Sequence, residues 1–380
     1  LNLITMTSPK NKLSALFTAS LICKFLMLFG VLLLVQGCSE PAEHKKVDRG
    51  APNQNQMHVL VLVPQYPDTD NWSAQGQEGA HRIEQQLNAQ VTLLTGTDPK
   101  KLSQDKLLEL ISPSLTSGVQ LIVGVGGQYE GFLRFLASEH PYVRMAIVGE
   151  TEGNQRNFGA VAGRFDDIGY ILGVVAYQDL MRQSFAAVRA EDTAHNQSKQ
   201  LTVGFIGGIP FKSYQKMAQA FDNAVNGYDQ TVDVIVDWVG SFAAPDLAYQ
   251  KAKILLDQGV QVLLINTGMG NAVIAELIKQ YPDRRLLLVD TDERSHWNPE
   301  QVLATGIIDV AELISNSAKK VSAGHWYGQQ EWFSFKENVA LVKLNSNLVD
   351  LEQRQNIFMI IDQLSQGLLV PVNSSQPVTK

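Results

Sequence analysis

Aromatic, glycine and carboxylate residues recur just after the aliphatic runs of this chain, which is where a small-molecule cleft would place them. Trp72 and Ser73 follow the run at 58–64. The indole of Trp72 can stack on a planar ligand or plug its own loop, and Ser73 or Asn71 can cap the helix that comes next. Phe242 follows Gly240 and Ser241 after the run at 231–239, a second flat apolar surface. Gly268 and Gly270 flank Met269 after the run at 260–266. Glycines there let backbone N–H groups approach a ligand at a helix N-terminus, although a tight strand-to-helix turn also wants glycine. Asp290 and Asp292 end the run at 285–289. Their carboxylates accept hydrogen bonds from hydroxyl or amino groups, and either can instead cap a turn.

Catalytic patterns are missing. The chain has no Gly-x-Ser-x-Gly elbow, no phosphate-binding loop and no His-Glu-x-x-His. Gly124-Val125-Gly126-Gly127 follows a strand without matching the dinucleotide fingerprint. The seven histidines are scattered, and His296 and His325 read as structural or exposed rather than as metal ligands. The expectation is a binding protein, not an enzyme, with no metal and no cofactor.

Seven aliphatic runs, at 58–64, 119–125, 144–148, 201–206, 231–239, 260–266 and 285–289, alternate with amphipathic stretches at helical spacing. Continuous aliphatic runs suit strands covered on both faces, and the alternation implies parallel sheets with crossover helices. So many units exceed one sheet of ordinary width. The fold class is α/β, with two doubly wound Rossmann-like lobes hinged around a ligand cleft. The N-terminal lobe spans 57–163 plus about 290–320, and the C-terminal lobe 164–289 plus about 321–372. A β/α barrel is the competing architecture. In open α/β sheets ligands lie outside the carboxyl ends of the strands, so the residues above line the expected cleft.

Cys38 bears on the compartment. Basic Lys10, Lys12 and Lys24 precede or flank an apolar run at 25–35, and Gly37-Cys38 follows it. The run is short for a membrane span, which needs about 20 apolar residues. Residues 1–37 read as a lipoprotein signal peptide with Cys38 as the lipidation site; an uncleaved anchor helix is the alternative. Residues 38–56 are polar and form a tether with a span of roughly 25 Å. Processing also removes Cys23, so no disulfide is expected. It leaves 28 basic residues against 38 acidic ones, which argues against nucleic acid as a partner. The expected location is the bacterial cell envelope, anchored by lipid and facing the periplasm or the exterior.

In order, several segments resemble the basic membrane protein family of lipoprotein substrate-binding proteins. They are Trp72 with Glu78-Gly79, Glu139-His140-Pro141, Phe165 with Tyr170-Ile171-Leu172-Gly173, and Val203 through Gly208. Gly240-Ser241-Phe242, Gly268-Met269-Gly270 and Val289-Asp290-Thr291-Asp292, with His296 and Pro299, complete the set. The resemblance implies the fold of type I periplasmic binding proteins, a nucleoside-like solute and a monomer that delivers it to an ABC permease. A receptor that senses its ligand and signals through a membrane partner would use the same fold. The chain also departs from the family pattern. Ser73 stands where an Asn is usual, Gly149 precedes Glu150 where an acid comes first, and no lysine lies near Thr305. The Gly126-Gly127 turn lacks the usual aromatic. These departures bear on the ligand rather than on the fold.

Overall fold

Two mostly parallel sheets, not one closed barrel, organise the chain. The computed structural model describes residues 56–68, 71–190, 200–290 and 300–372, with the backbone alone for 186–190 and Asp290. Cys38 and Asp292 lie outside the described residues. In chain order the first lobe begins with β1 (His58–Leu62), α1 (Asn71–Leu87), β2 (Gln90–Leu94), α2 (Gln104–Thr116) and β3 (Leu121–Gly124). It continues with α3 (Glu130–Glu139), β4 (Arg144–Val148) and β5 (Phe158–Gly163). The chain then crosses into α4 (Phe165–Ala190), β6 (Thr202–Gly207), α5 (Lys212–Tyr228), β7 (Asp233–Trp238) and α6 (Pro245–Asp257). After β8 (Val262–Asn266), α7 (Gly270–Leu277), β9 (Arg285–Asp290) and β10 (Val302–Ile308), it returns through α8 (Val310–Ser322) and β11 (Gln330–Phe333). A last crossing leads to β12 (Ala340–Leu344) and α9 (Leu351–Ser365).

The first sheet runs β11-β5-β4-β3-β1-β2, and the second β12-β10-β9-β8-β6-β7. Every described pairing is parallel except β10 with β12. The expected lobe boundaries therefore need correction at two places. Residues 302–308 belong to the second sheet through Ile307 opposite Asp290, and residues 330–333 belong to the first through Phe333 opposite Gly163. A strand's hydrophobic pattern shows that it is buried but not which sheet it joins. Register decides that.

The connections are thus Gly163-Arg164-Phe165, Ile308-Asp309-Val310 and Phe333-Ser334-Phe335. Each leaves the carboxyl end of a strand, so the carboxyl edges of both sheets adjoin the same hinge. Asp309 begins α8 as its N-cap, accepting from the N–H of Glu312 at 2.9 Å. On α9, Asp350 and Gln353 form a reciprocal capping box.

Apolar side chains from both lobes share one continuous core, which includes Val59, Val61, Ile314, Ile168, Phe205 and Leu264. Separate cores lie beneath α2 and α3 on the first sheet and beneath α6 and α7 on the second. The α4–α5 contact is unusually close. A Cβ at Gly169 would stand 2.2 Å from the carbonyl oxygen of Met217, and one at Gly173 would stand 2.6 Å from that of Phe221. Backbone cannot yield as a flexible side chain can, so Gly169→Val should force the helices apart and cost about 2–4 kcal/mol. Urea unfolding of the variant measures it; an unchanged midpoint would refute this packing.

Candidate functional site

Trp72 lies on the first turn of α1, at the carboxyl edge of the first sheet. Its indole Nε1 donates to the carbonyl of Val125, just beyond β3, at 3.2 Å. The ring is half-buried and packs on the shared core. It therefore plugs its loop along one edge and keeps part of its surface open.

Ser73, one position on, turns inward and is fully buried. Its hydroxyl accepts from the N–H of Gln65 at 3.2 Å. A role for Ser73 in touching a ligand does not fit this burial. It holds the β1–α1 loop and so positions Trp72.

On the second lobe, Phe242 joins an aromatic group at the N-termini of α4 and α5. Its ring centroid is 5.6 Å from that of Tyr214, edge to face, and 6.4 Å from that of Phe211. Tyr214 also meets Phe165 at 4.9 Å. Such edge-on pairs are favoured by the ring quadrupoles. Phe211 is 55% exposed and Met269 64% exposed, which leaves apolar surface open beside Phe242. The strand-end glycines make room for this ring. A Cβ at Gly208 would lie 2.4 Å from the Phe242 ring, and one at Gly268, where φ is +63°, would lie 2.7 Å from the Phe242 carbonyl.

The turn at 268–271 behaves differently from expectation. Met269 N–H donates to Phe242 O at 3.0 Å, Gly270 N–H to Thr267 O at 3.3 Å and Asn271 N–H to Gly268 O at 3.0 Å. These donors are used inside the protein. Gly270 is buried, and a Cβ there would stand 2.4 Å from Ala248, so it serves packing between α6 and α7. Gly268 shapes the seat of Phe242. Asp290 ends β9 at the carboxyl edge, beside Ile307 of β10.

Tyr214, Phe211, Glu150 and Asn266 are not among the site residues expected from sequence. Tyr214 lies in the first turn of the helix that follows the Gly207-Gly208 strand end, and that placement is the available signal. Burial pushes its hydroxyl up to about 12, and the Glu150 carboxylate from the first lobe adds to the shift. Tyr214 is therefore a neutral hydrogen-bond donor at physiological pH. Asn266 ends β8 with a side-chain nitrogen that is enclosed and has no partner. A buried donor left without an acceptor costs about 1–3 kcal/mol, so its place at the strand end is notable.

A concavity of about 870 Å³ lies along α1, with Asp68, Glu78, His81, Arg82 and Asp309 among its lining. It includes neither Trp72 nor Phe242. Arg82 there already bonds Asp309 at 2.8 Å and Glu78 at 3.1 Å, so its charge is matched within the protein. The strand-end aromatics are the better candidate site. Among the described residues, no group of three or more His, Cys, Asp or Glu side chains is arranged to hold a metal.

The sequence model for PnrA-like ABC transporter substrate-binding proteins matches residues 57–374. The chain belongs to the Bmp family. Members of this family bind solutes and are not enzymes. Among relatives, the CD4+ T-cell-stimulating antigen of Listeria monocytogenes is 24% identical, over 56% of this chain and 55% of its own length. The match thus spans about half of that relative. Basic membrane protein D of Borreliella burgdorferi is 22% identical over 84% of this chain and 86% of its own. A purine-binding protein of Brucella abortus is 25% identical over 51% and 49%.

Solved structures agree on the fold. A solute-binding protein of an ABC transporter system from Aeropyrum pernix aligns with TM-score 0.62 at 16% identity, covering 82% of this chain and 92% of its own. A transcriptional activator of the comK gene from Bacillus halodurans aligns at 0.64 with 21% identity, covering 83% and 100%. The Bmp chain therefore has the two-lobed α/β fold of type I solute-binding proteins.

Removing the Ser73 hydroxyl leaves the Gln65 N–H short of its acceptor. Ser73→Ala should lower stability by about 1–2 kcal/mol in chemical denaturation. A variant as stable as the parent would remove Ser73 from the loop's support.

Proposed function

We propose that this protein is the capture component of an ABC-type importer, held to the cell envelope by lipid at Cys38, and that it takes a nucleoside-like solute between its lobes. The reading is carried by the aromatic surface at the strand ends. Phe242, steadied by Tyr214 and Phe211, presents a flat apolar surface on the second lobe, and Trp72 presents another on the first. A planar solute would stack on such surfaces. Asp290 and Asp292 supply acceptors for the hydroxyl or amino groups of that solute, and Tyr214 supplies a neutral donor. The purine-binding relative supports the ligand class. Closure of the lobes around the solute would make the form that a permease recognises.

Calorimetry against nucleosides, free bases and simple sugars tests the ligand class. Binding of a nucleoside or base should weaken roughly tenfold to a hundredfold in Trp72→Ala or Phe242→Ala, since one stacked ring contributes about 1–3 kcal/mol. Retention of sugars alone, or unchanged affinity in both variants, would overturn the stacking assignment. Anchoring has its own test. Radiolabelled palmitate should enter the protein in the producing cell and should not enter Cys38→Ser; equal labelling of both would refute Cys38 as the lipid site.

A further inference from the structure

The three connections between the lobes are tied to one another by hydrogen bonds. Arg164 N–H donates to Phe333 O at 2.8 Å, joining the first connection to the third. Asp309 N–H donates to Val339 O at 2.8 Å, and Val339 N–H donates to Ser334 O at 3.0 Å, joining the second to the third. A carboxyl group sits in the middle of this arrangement. Asp167, in the first turn of α4, accepts the hydroxyl of Ser334 and is 4% exposed.

The charges around Asp167 are unbalanced. On its own helix end, Arg164 spends its guanidinium on Asp166, with Nε at 2.9 Å and Nη2 at 2.7 Å, and stands 3.5 Å from Asp167. From the third connection, Glu337 accepts the N–H of Ser334 at 3.0 Å. One cation thus faces three carboxylates. From α5, Tyr214 packs on Phe165 and is neutral in the range considered. Burial pushes the Asp167 carboxyl up to about 6; Arg164 and Ser334 oppose this, while Asp166 and Glu337 add to it.

We propose that Asp167 is a proton-operated hinge element, which holds the lobes together when protonated and loosens them when ionised. The argument is one of linkage. Rotation of the lobes must turn the backbone at the three connections, and Ser334 lies within one of them. An arrangement that draws Ser334 and Glu337 away admits water to Asp167 and returns its proton affinity toward that of an exposed aspartate. The proton then binds more tightly to the covered arrangement, and acid favours that arrangement by the same factor. In the covered arrangement the lobes touch. Lys216 of α5 lies 5.4 Å over the ring of Trp332 on β11. Binding of a solute that favours the covered arrangement would therefore be accompanied by proton uptake at Asp167, chiefly between pH 4 and 6. Well above pH 6 the coupling fades, because the carboxyl is ionised in both arrangements. This rests on the two-lobed capture reading but not on the identity of the solute.

Hydrogen–deuterium exchange of the full chain without solute tests it, with rates normalised to intrinsic exchange across pH 4.5–7.5. Wild type should protect the amides of Arg164, Asp309 and Val339 several-fold better at pH 5 than at pH 7. Asp167→Asn, which keeps the shape of the neutral acid, should show the protected level at both. Glu337→Gln should move the transition to lower pH by removing a repelling charge. A wild-type pH dependence that survives in Asp167→Asn, or no transition in either wild type or Glu337→Gln, would overturn the proposal. Because no solute is present, failure here leaves the nucleoside assignment untouched.

Discussion

Everything in this protein depends on the chain passing between its two sheets side by side. Gly163 ends β5 against Ile308, where a Cβ would stand 2.6 Å from the isoleucine side chain. Only a residue without a side chain lets the first and second connections lie so close. The third joins them through Phe333 and Ser334. Because every connection leaves the carboxyl edge of a strand, the edges that carry strand-end loops are brought to the hinge together. The cleft is a consequence of that constraint.

The two walls of the cleft are built by different means. On the first lobe a buried serine, Ser73, anchors a loop and an indole N–H fixes Trp72 to the end of β3. On the second lobe glycines do the work, since Gly208 and Gly268 clear the space that the Phe242 ring and backbone occupy. The aromatic surface is steadied by edge contacts rather than by polar bonds. The polar loop is fixed by directional hydrogen bonds, whereas the interlocked rings are held by packing.

Much of this could be read in the residues. The aliphatic runs mark seven of the strands, although the run at 231–239 proves to be a partly exposed edge strand and the buried strands β5 and β10 carry no such run. Trp72 and Phe242 stand out because they lie in the segments after such runs. Residue type alone does not fix what a side chain or a backbone N–H touches. Ser73 is next to Trp72 in sequence, but the helical rotation between neighbours turns it into the core. The glycines at 268 and 270 suggest donors for a ligand, yet the N–H groups of Met269, Gly270 and Asn271 donate to the carbonyls of Phe242, Thr267 and Gly268. Tyr214 was hidden because its importance comes from Phe165, Phe242 and Glu150, none of which is near it in the chain.

The sequence by itself determined the fold class, the presence of two lobes, the family and the aromatic residues at the strand ends. These follow from local periodicity, composition and ordered motifs, which need no knowledge of distant contacts. The tertiary structure alone decided which sheet takes residues 302–308 and 330–333, because pairing register involves strands far apart in the chain. It also decided that Asp167 meets Ser334, 167 positions away, inside the hinge. A carboxylate in a helical first turn is ordinary in sequence. It becomes a titrating element of the hinge only when the fold takes it out of water and surrounds it with unequal charge.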